Sequence, residues 1–359
     1  MVIRGRAPLR ISFGGGGTDV EPYCVEHGGA IIGSTINKYA YCSIIPRDTD
    51  EITVHSLDFD MTVKYNTNEN YVYDGKLDLV KAALNALDIK QGCEVYLQCD
   101  APPGTGLGTS STVMVTLLTA MAKWKGIVLD AYEMADLAYH VEREVLGISG
   151  GYQDQYAATF GGFNFIEFHG RNNVVVNPLR IKKDIIHELQ YNLLLCYTGN
   201  IHVSANIIAD QVNNYKNHQT DAIAAMTEVK ALAYAMKDEL LKGNLNNFGK
   251  LLDYGWKSKK RMSSIITNPK VDELYEEALK AGALGGKLLG AGGGGYLLVY
   301  CPYNVKHKVA ERLEKAGGQM TDWNFELRGA QAWTMDSNRW NYKEITVRIP
   351  EGKFEFKVQ

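Results

Sequence analysis

Apolar and polar residues alternate along much of the first half of the chain, and this pattern predicts β-strands. The segments with this pattern are residues 6–13, 30–32, 39–45, 52–55, 61–65 and 93–99. In the second half, apolar residues recur every three or four positions, which predicts helices over 204–214, 221–241, 245–263 and 271–281. A strand-rich half followed by a helix-rich half indicates an α+β fold, because no long βα alternation is present.

The length of 359 residues favours two domains. Charge density rises near residues 181–189, so we place an N-terminal domain at 1–185 and a C-terminal domain at 186–359. The strand-like segments near the end, at 323–328, 345–350 and 353–358, are compatible with a return to the first domain.

Two helices of the first half have readable N-termini. One is predicted at residues 78–87, with Asp78 as its cap. The other begins at Asp130, where Glu133 has the spacing of a capping box. The apolar face of this second helix comprises Met134, Leu137, Ala138, Val141 and Val145.

The stretch between the strand at 93–99 and the next helix is rich in glycine and hydroxyl side chains. It consists of Pro103, Gly104, Thr105, Gly106, Leu107, Gly108, Thr109, Ser110 and Ser111. Glycines let the backbone N–H groups converge on one point, and a helix N-terminus favours anions. An ordinary loop with a serine cap is the alternative, but three consecutive hydroxyls exceed what one cap needs. The pattern favours a phosphate-binding loop, although it matches neither a Walker A motif nor G-x-G-x-x-G.

A second glycine cluster, at residues 14–17, follows the first predicted strand. Arg10 precedes this cluster and Asp19 follows it. A carboxylate directly behind a glycine loop is well placed to accept hydrogen bonds from sugar hydroxyls, whereas a solvated surface pair of Arg10 and Asp19 is the alternative.

The third glycine cluster covers residues 290–295, with Lys287 just ahead of it. Gly290, Gly292 and Gly295 satisfy G-x-G-x-x-G. The strand-like run at 296–301 follows them, however, where a dinucleotide-binding fold requires a helix. A nicotinamide oxidoreductase is therefore disfavoured. For Lys287, an ordinary surface lysine is the alternative.

Two carboxylates in the middle of the chain are candidates for chemistry. Glu142 adjoins the apolar face of the helix that begins at Asp130, and a buried carboxylate needs a cation or several hydrogen bonds. Asp154 lies on a short segment with a helical pattern between two pairs of glycines. This placement makes it a candidate general base or a candidate group beside a bound metal ion. Capping of that helical piece by Asp154 is the alternative.

Composition excludes several classes of function. The formal net charge is -3 and the pI is about 6.3, with no basic run, so we expect no nucleic-acid partner. No apolar segment is long enough for a membrane span, and the N-terminus lacks a secretory signal pattern. The six cysteines and eight histidines show no metal-ligand spacing. We interpret the cysteines as small buried residues of a cytoplasmic protein.

Taken together, the motifs resemble those of the GHMP kinases. Residues 7–19, 103–111 and 287–295 are similar to the three family motifs and occur in the family's order. Glu142 and the stretch 151–155 resemble the part that supplies a magnesium ligand and the catalytic aspartate. The resemblance implies an N-terminal domain like domain 2 of ribosomal protein S5, a ferredoxin-like C-terminal domain, and a site between them.

The resemblance also implies an ATP- and Mg²⁺-dependent phosphoryl transfer to a sugar hydroxyl. The loop 103–111 would hold the phosphates of ATP, while Ser110 and Glu142 would hold Mg²⁺. Asp154, beside Arg10, would receive the hydroxyl proton or assist its loss electrostatically. The remaining substrate contacts would come from Gly16, Gly17, Thr18, Asp19, Lys287, Gly292 and Gly293.

The first motif departs from the galactokinase pattern, because four glycines precede Thr-Asp where galactokinases have Gly-Glu-His. The glycine version followed by Val20 is similar to that of D-glycero-D-manno-heptose 7-phosphate kinases. It predicts phosphorylation of the anomeric C1 hydroxyl on the route to GDP-heptose. Another GHMP sugar-1-kinase, of fucokinase or galactokinase type, and a non-catalytic sensor of ATP and sugar are the alternatives.

A sugar phosphate acceptor requires an additional anion-binding site. Lys257, Lys260 and Arg261 are candidates for it, and a solvated basic helix face is the alternative. We expect the protein to be a monomer or a homodimer without a membrane partner.

Overall fold

The computed structural model describes residues 1–171, 173–199, 204–336, 345–349 and 352–356. Within these ranges the strands are β1 Val2–Gly14, β2 Gly29–Pro46, β3 Glu51–Ser56, β4 Met61–Asn66, β5 Cys93–Cys99, β6 Phe163–Phe168, β7 Val174–Pro178, β8 Leu193–Tyr197, β9 Gly285–Leu288, β10 Tyr296–Tyr300, β11 Gln319–Met320, β12 Phe325–Glu326, β13 Gln331–Met335, β14 Ile345–Ile349 and β15 Gly352–Phe356.

The helices within the same ranges are α1 Tyr23–His27, α2 Asp78–Ala86, α3 Thr109–Lys125, α4 Ala131–Tyr139, α5 Gln153–Phe160, α6 Lys183–Asn192, α7 Ser204–Lys216, α8 Thr220–Lys242, α9 Leu245–Lys260, α10 Pro269–Lys280 and α11 Lys306–Lys315. A π-helical turn, His140–Val145, continues α4. In the described part of the chain, no helix is long and apolar enough to cross a membrane.

The long strand β2 is the centre of the larger sheet. It pairs with β1 along most of its length, with β6 near its start and with β5 near its end. The sequence pattern predicts two strands here, at 30–32 and 39–45. The structure has one strand because the polar residues between them are also paired, and the buried Thr35 hydroxyl donates to the carbonyl of Glu326 at 2.7 Å.

Late segments of the chain join this first sheet. Strand β13 pairs with β1 and β12 pairs with β2, both antiparallel. The strands β14 and β15 form a separate antiparallel pair. Residues 350, 357 and 358 of the predicted C-terminal strands lie outside the described residues. The proposed division at residue 185 falls inside α6.

The smaller sheet has the order β11-β8-β10-β9 and is antiparallel throughout. One hydrophobic cluster joins it to the larger sheet, since Phe13 of β1 lies in the same cluster as Phe248 of α9 and Leu298 of β10. The rings of Phe13 and Phe248 make an edge contact, with centroids 5.3 Å apart. The two halves of the chain therefore share a core, and the loops at their junction have fixed positions.

Two local predictions were wrong. Asp78 is not the cap of α2: Leu77 occupies that position, and the Asp78 carboxylate accepts hydrogen bonds from Gly75 N and Lys81 instead. Val145 is not on the buried face, since the π-helical turn leaves it 43% exposed. The charged stretch at 183–192, for which the sequence pattern predicts no element, is the helix α6.

Candidate active site

Three loops enclose a cleft of about 290 Å³ at the junction of the two halves. They are the loop before α3, the loop after β1 and the loop before α5. The second half of the chain completes the wall with residues of α7, with Lys259 of α9 and with Gly290 and Ala291. Of the residues predicted for the site, those that line this cleft are Arg10, Gly17, Asp19, Gly104, Gly106, Gly108, Thr109, Ser110, Ser111, Glu142 and Asp154.

Partly exposed and buried residues alternate along the loop from Gly104 to Gly108. Gly104, Gly106 and Gly108 are partly exposed and have φ values of 76°, 85° and 76°, which only glycine adopts readily. Thr105 and Leu107, between them, are buried and hold the loop in place through their carbonyls, which accept hydrogen bonds from Tyr296 N and Arg10 N at 3.1 Å.

The start of α3 carries no side-chain cap, because Gly108 occupies the N-cap position. The hydroxyl residues therefore do not cap this helix. Ser111 accepts hydrogen bonds from Arg143 and Gln155, and Thr109 is buried. The cleft at this point presents glycine backbone and the N-terminus of a 17-residue helix, an arrangement that favours a phosphate group.

The third glycine loop packs directly on this phosphate-binding loop. A Cβ atom added to Gly106 would lie 2.4 Å from the carbonyl oxygen of Leu289, and one added to Gly290 would lie 2.4 Å from the Cα of Gly106. Gly292 and Gly293 are not among the residues that line the cleft. Gly292 packs on Ile266, whose carbonyl accepts a hydrogen bond from Gly293 N at 2.7 Å. These two glycines thus brace the loop instead of lining the cavity.

We expect Gly106→Ala to destabilise the protein much more than Gly75→Ala. Both glycines have a φ of 85°, but Gly75 has no neighbouring atom within 4 Å of an added Cβ. The left-handed backbone alone costs about 1–2 kcal/mol in either variant, and only Gly106→Ala adds a backbone collision. Urea unfolding of both variants measures the difference, and equal losses of stability would contradict this account.

Arg10, which is buried, and Asp154, which is partly exposed, form an ion pair in the wall of the cleft. Arg10 Nε donates to Asp154 Oδ1 at 2.7 Å, and Nη2 approaches the same oxygen at 2.6 Å. Arg10 Nη1 also donates to the carbonyl of Gly106. The pair therefore attaches the first-turn residue of α5 to the phosphate-binding loop. A Cβ on Gly108 would lie 3.2 Å from Asp154 Cγ, which shows how closely this carboxylate approaches the loop.

Glu142 reaches the cleft from the π-helical turn after α4. Its side chain is fully buried, and its Oε1 accepts a hydrogen bond from Ser110 Oγ at 2.7 Å. Gln155 Nε2 donates to Oε2 at 2.7 Å, and the Arg143 guanidinium lies 3.2 Å from Oε1. The predicted inward direction of Glu142 is what the structure shows, with a cation and hydrogen bonds to stabilise it.

Asp19 is fully buried behind the first glycine loop. It accepts hydrogen bonds from Gly17 N at 3.2 Å and Gln153 N at 3.1 Å. Burial raises the pKa of its carboxyl group, and the nearby Asp154 raises it further. Gly151 is needed beside it, because a Cβ there would lie 2.0 Å from Asp19 Oδ2. Arg10 contacts Asp154 rather than Asp19, so the surface pair considered from the sequence does not form.

Other residues predicted for substrate contact lie just behind the cleft. The Thr18 hydroxyl is buried and donates to Gly15 O at 2.8 Å, so it supports the loop. Lys287 is 5% exposed and, with Gly16, lines a small adjoining cavity that also contains Lys259. Burial lowers the pKa of Lys287 well below its usual value. A surface position for this lysine is thereby excluded.

Sequence reasoning missed Lys259 and chose its neighbours. Lys257 is paired with Asp253 at 2.7 Å and Lys260 with Asp272 at 3.2 Å, while Arg261 binds Asp221 and Glu228. A signal was available, because Phe248, Leu252 and Trp256 are spaced by four and Lys259 follows by three, on the same helix face. The other missed residues, Arg143, Gln155 and Gln211, had no comparable signal.

The donor set suits a magnesium ion. The described residues contain no group of three or more His, Cys, Asp or Glu side chains that could hold a metal ion. Mg²⁺ in phosphoryl-transfer sites is usually held by only one or two protein oxygens together with the substrate phosphates and water. The Ser110 hydroxyl and the Glu142 carboxylate, side by side at the phosphate-binding loop, are oxygen ligands of this kind.

Comparison with known proteins agrees with this arrangement of fold and cleft. Residues 70–162 match the family model "GHMP kinases N terminal domain" and residues 236–319 match "GHMP kinases C terminal". The chain belongs to the GHMP kinase family, and it is an ATP-using phosphotransferase with an alcohol group as acceptor. Its fold is the GHMP kinase fold.

Among its relatives are heptose-phosphate kinases. The chain is 38% identical to the D-glycero-alpha-D-manno-heptose 7-phosphate kinase of Campylobacter jejuni, over 92% of this chain and 98% of the relative. A crystal structure titled as a D-glycero-D-manno-heptose 1-phosphate kinase from Bacteriodes thetaiotaomicron superimposes with a TM-score of 0.79 at 35% identity, covering 93% of this chain and all of that one.

A more distant relative is the L-fucokinase/L-fucose-1-P guanylyltransferase of Bacteroides fragilis. The identity is 28% over 82% of this chain but 34% of that larger protein. The relatives support a GHMP sugar kinase.

Proposed function

We propose that this protein transfers the γ-phosphoryl group of ATP to the anomeric C1 hydroxyl of D-glycero-D-manno-heptose 7-phosphate. The reaction would belong to the synthesis of a nucleotide-activated heptose. The observation that carries the proposal is the Arg10–Asp154 pair, which sits directly under the phosphate-binding loop and beside Asp19. The 38% identity to a heptose 7-phosphate kinase supports the choice of acceptor.

In the proposed reaction, the C1 oxygen attacks the γ-phosphorus and the bond to the β–γ bridging oxygen breaks, which releases ADP. Asp154 takes the hydroxyl proton or assists its loss electrostatically, and Arg10 holds the Asp154 carboxylate in position. Asp19 accepts hydrogen bonds from sugar hydroxyls and orients the acceptor. Enzymes of this kind act mainly by alignment and charge stabilisation.

The phosphate-binding loop has two tasks in this proposal. Its backbone N–H groups and the N-terminus of α3 bind the ATP phosphates. Ser110 and Glu142 would hold Mg²⁺, which supplies charge neutralisation at the phosphates when it is bound. The Arg143 and Gln155 side chains keep the Glu142 carboxylate directed at Ser110.

ATP as the phosphoryl donor supports a cytoplasmic location, as do the six cysteines, which are all free. A monomer or homodimer stays a prediction.

The proposal is tested by coupled ADP release with a panel of acceptors. We expect the highest kcat/KM with D-glycero-D-manno-heptose 7-phosphate and much lower values with the 1-phosphate, L-fucose and D-galactose. The 1-phosphate belongs in the panel because one relative is titled as a kinase of that compound. Phosphorylation of the 7-phosphate at C1 and of the 1-phosphate at C7 would give the same bisphosphate, so the two activities are distinguished by which acceptor is preferred. ³¹P NMR of the product then shows whether it carries a phosphate at the anomeric position. Preference for any other acceptor would contradict the proposal.

A further inference from the structure

Lys259 brings an almost buried positive charge to the cleft. Its residue is 4% exposed, and its ammonium group donates to the carbonyl of Gly290. The position that a Cβ would take on Gly16 lies 3.8 Å from Lys259 Nζ, so the lysine sits between the first and third glycine loops. A buried ammonium is costly unless an anion accompanies it.

The charges around Lys259 leave an excess of positive charge. Arg10, Lys287 and Asp19 are the charged groups that act on it. The Arg10 charge is already matched by Asp154 at 2.6 Å. Two buried lysines therefore share one carboxylate, Asp19, whose own pKa is raised by burial. This part of the cleft therefore has more basic side chains than carboxylates.

An unused hydrogen-bond donor lies in the same part of the cleft. Gln211 of α7 lines the cavity and is 6% exposed, and its Nε2 has no hydrogen-bond partner within the described ranges. Its Oε1 would lie 3.3 Å from a Cβ on Gly17. Buried amide groups are normally paired, so an orphaned donor on a residue that lines a cleft indicates a ligand.

The positions of Lys259 and Gln211 relative to the glycine loops indicate which ligand they would bind. Lys259 and Gln211 both lie against residues 16–17, in the loop that leads to Asp19 and the proposed acceptor. The other side of the cleft, proposed for ATP, has its own ion pair, since Glu142 contacts both Arg143 and the Ser110 hydroxyl. The lysine and the glutamine are thus placed for the acceptor.

We propose that Lys259 and Gln211 form a second anion subsite, which binds the phosphate ester carried by the acceptor sugar. Lys287 supplies a second amino group from the adjoining cavity. This inference rests on the proposed function and deepens it, because it assigns residues to the recognition of a phosphorylated acceptor. It also replaces Lys257, Lys260 and Arg261, whose charges are matched by surface carboxylates.

The test compares Lys259→Met with Lys257→Met, its exposed neighbour on the same helix. Methionine fills the buried space of the lysine without its charge, so Lys259→Met is expected to fold. For the heptose 7-phosphate, KM is expected to rise about 10- to 100-fold in Lys259→Met, the range for loss of a charged hydrogen bond. The unphosphorylated heptose and ATP should keep their KM values, and Lys257→Met should behave as the wild type.

The same experiment shows which anion Lys259 binds: the phosphate ester of the acceptor or the phosphoryl group that is transferred. If Lys259 acts on the transferred group, kcat falls equally with the phosphorylated and the unphosphorylated heptose, and the proposal is wrong. Gln211→Leu should reproduce the selective rise of KM on a smaller scale. A uniform loss of binding for both acceptors in that variant would likewise count against the subsite.

The pH dependence gives an independent readout. Burial, together with Arg10, lowers the pKa of Lys259 to about 8. Protonated lysine binds the phosphate ester, so the KM of the wild type for the 7-phosphate should rise as the pH increases through about 8. The acceptor phosphate is already a dianion there, since its second pKa is about 6. The Lys259→Met variant retains Lys287. If the increase of KM with pH disappears in this variant, the increase is due to Lys259; if the increase persists, the assignment to Lys259 is wrong.

Calorimetry without ATP distinguishes failure of this inference from failure of the proposed function. Titration with the heptose 7-phosphate should show binding that is weakened in Lys259→Met and unchanged in Lys257→Met. Wild-type protein that binds in this way but releases no ADP would refute the function and leave the subsite standing. Active wild-type protein with an unchanged Lys259→Met affinity would refute the subsite alone.

Discussion

An Asp154→Asn variant should bind ATP and the acceptor almost as well as the wild type but turn over about 10²–10⁴ times more slowly. Asparagine has the shape of aspartate and can still accept a hydrogen bond from Arg10, so the first turn of α5 keeps its place. It cannot accept the hydroxyl proton, and it leaves the Arg10 charge without its partner at 2.6 Å. The loss should therefore fall on kcat.

The measurement is steady-state ADP release, with nucleotide affinity taken from a separate fluorescence titration. Asp88→Asn is the matched control, because the Asp88 side chain is 75% exposed and pairs with Lys90 on the surface. Turnover within a few-fold of the wild type in Asp154→Asn, with normal nucleotide affinity, would remove Asp154 from its proposed role.

The second large effect is expected for Glu142→Gln. The variant keeps the size of the side chain and can still accept from Ser110, while Gln155, whose Oε1 is unpaired among the described residues, can turn its amide to match. Only the negative charge is lost, beside the Ser110 hydroxyl. We expect the Mg²⁺ concentration at half-maximal turnover to rise by at least about 10- to 100-fold.

A Mg²⁺ titration of turnover at fixed ATP measures this shift. Glu144→Gln, two residues away and bound to Arg171 outside the cleft, serves as the control. Urea unfolding shows whether either variant is destabilised. If the Mg²⁺ dependence of Glu142→Gln matches that of Glu144→Gln, the carboxylate of Glu142 is not a metal ligand.

Elements defined by local pattern were predictable from the sequence. Strand β5 has the predicted bounds, Cys93–Cys99, because every second residue faces the core. The capping box of Asp130 and Glu133 is present as well, since it depends on residues only three apart. The family resemblance, carried by three glycine motifs, is confirmed by the comparisons.

Contacts between distant residues were not predictable in the same way. Nothing local shows that Gly290 must touch Gly106, or that Arg10 pairs with Asp154 and not with Asp19. The burial of Lys259 depends on the packing of α9 against the first glycine loop, and three neighbouring basic residues obscured it. The chemical roles assigned to the site residues stay predictions until the variants are measured.

The wide turn His140–Val145 has a consequence for how the site could be altered or copied. A π-turn contains one residue more than the α-helical turn that it replaces. One added residue rotates the following side chains by about 100°, so Val145 faces solvent, although a regular α-helix would place it on the buried face. Glu142, near the start of the turn, stays buried as the α-helical pattern predicts. In designed relatives, the length of this segment would need to be preserved as strictly as the glutamate itself.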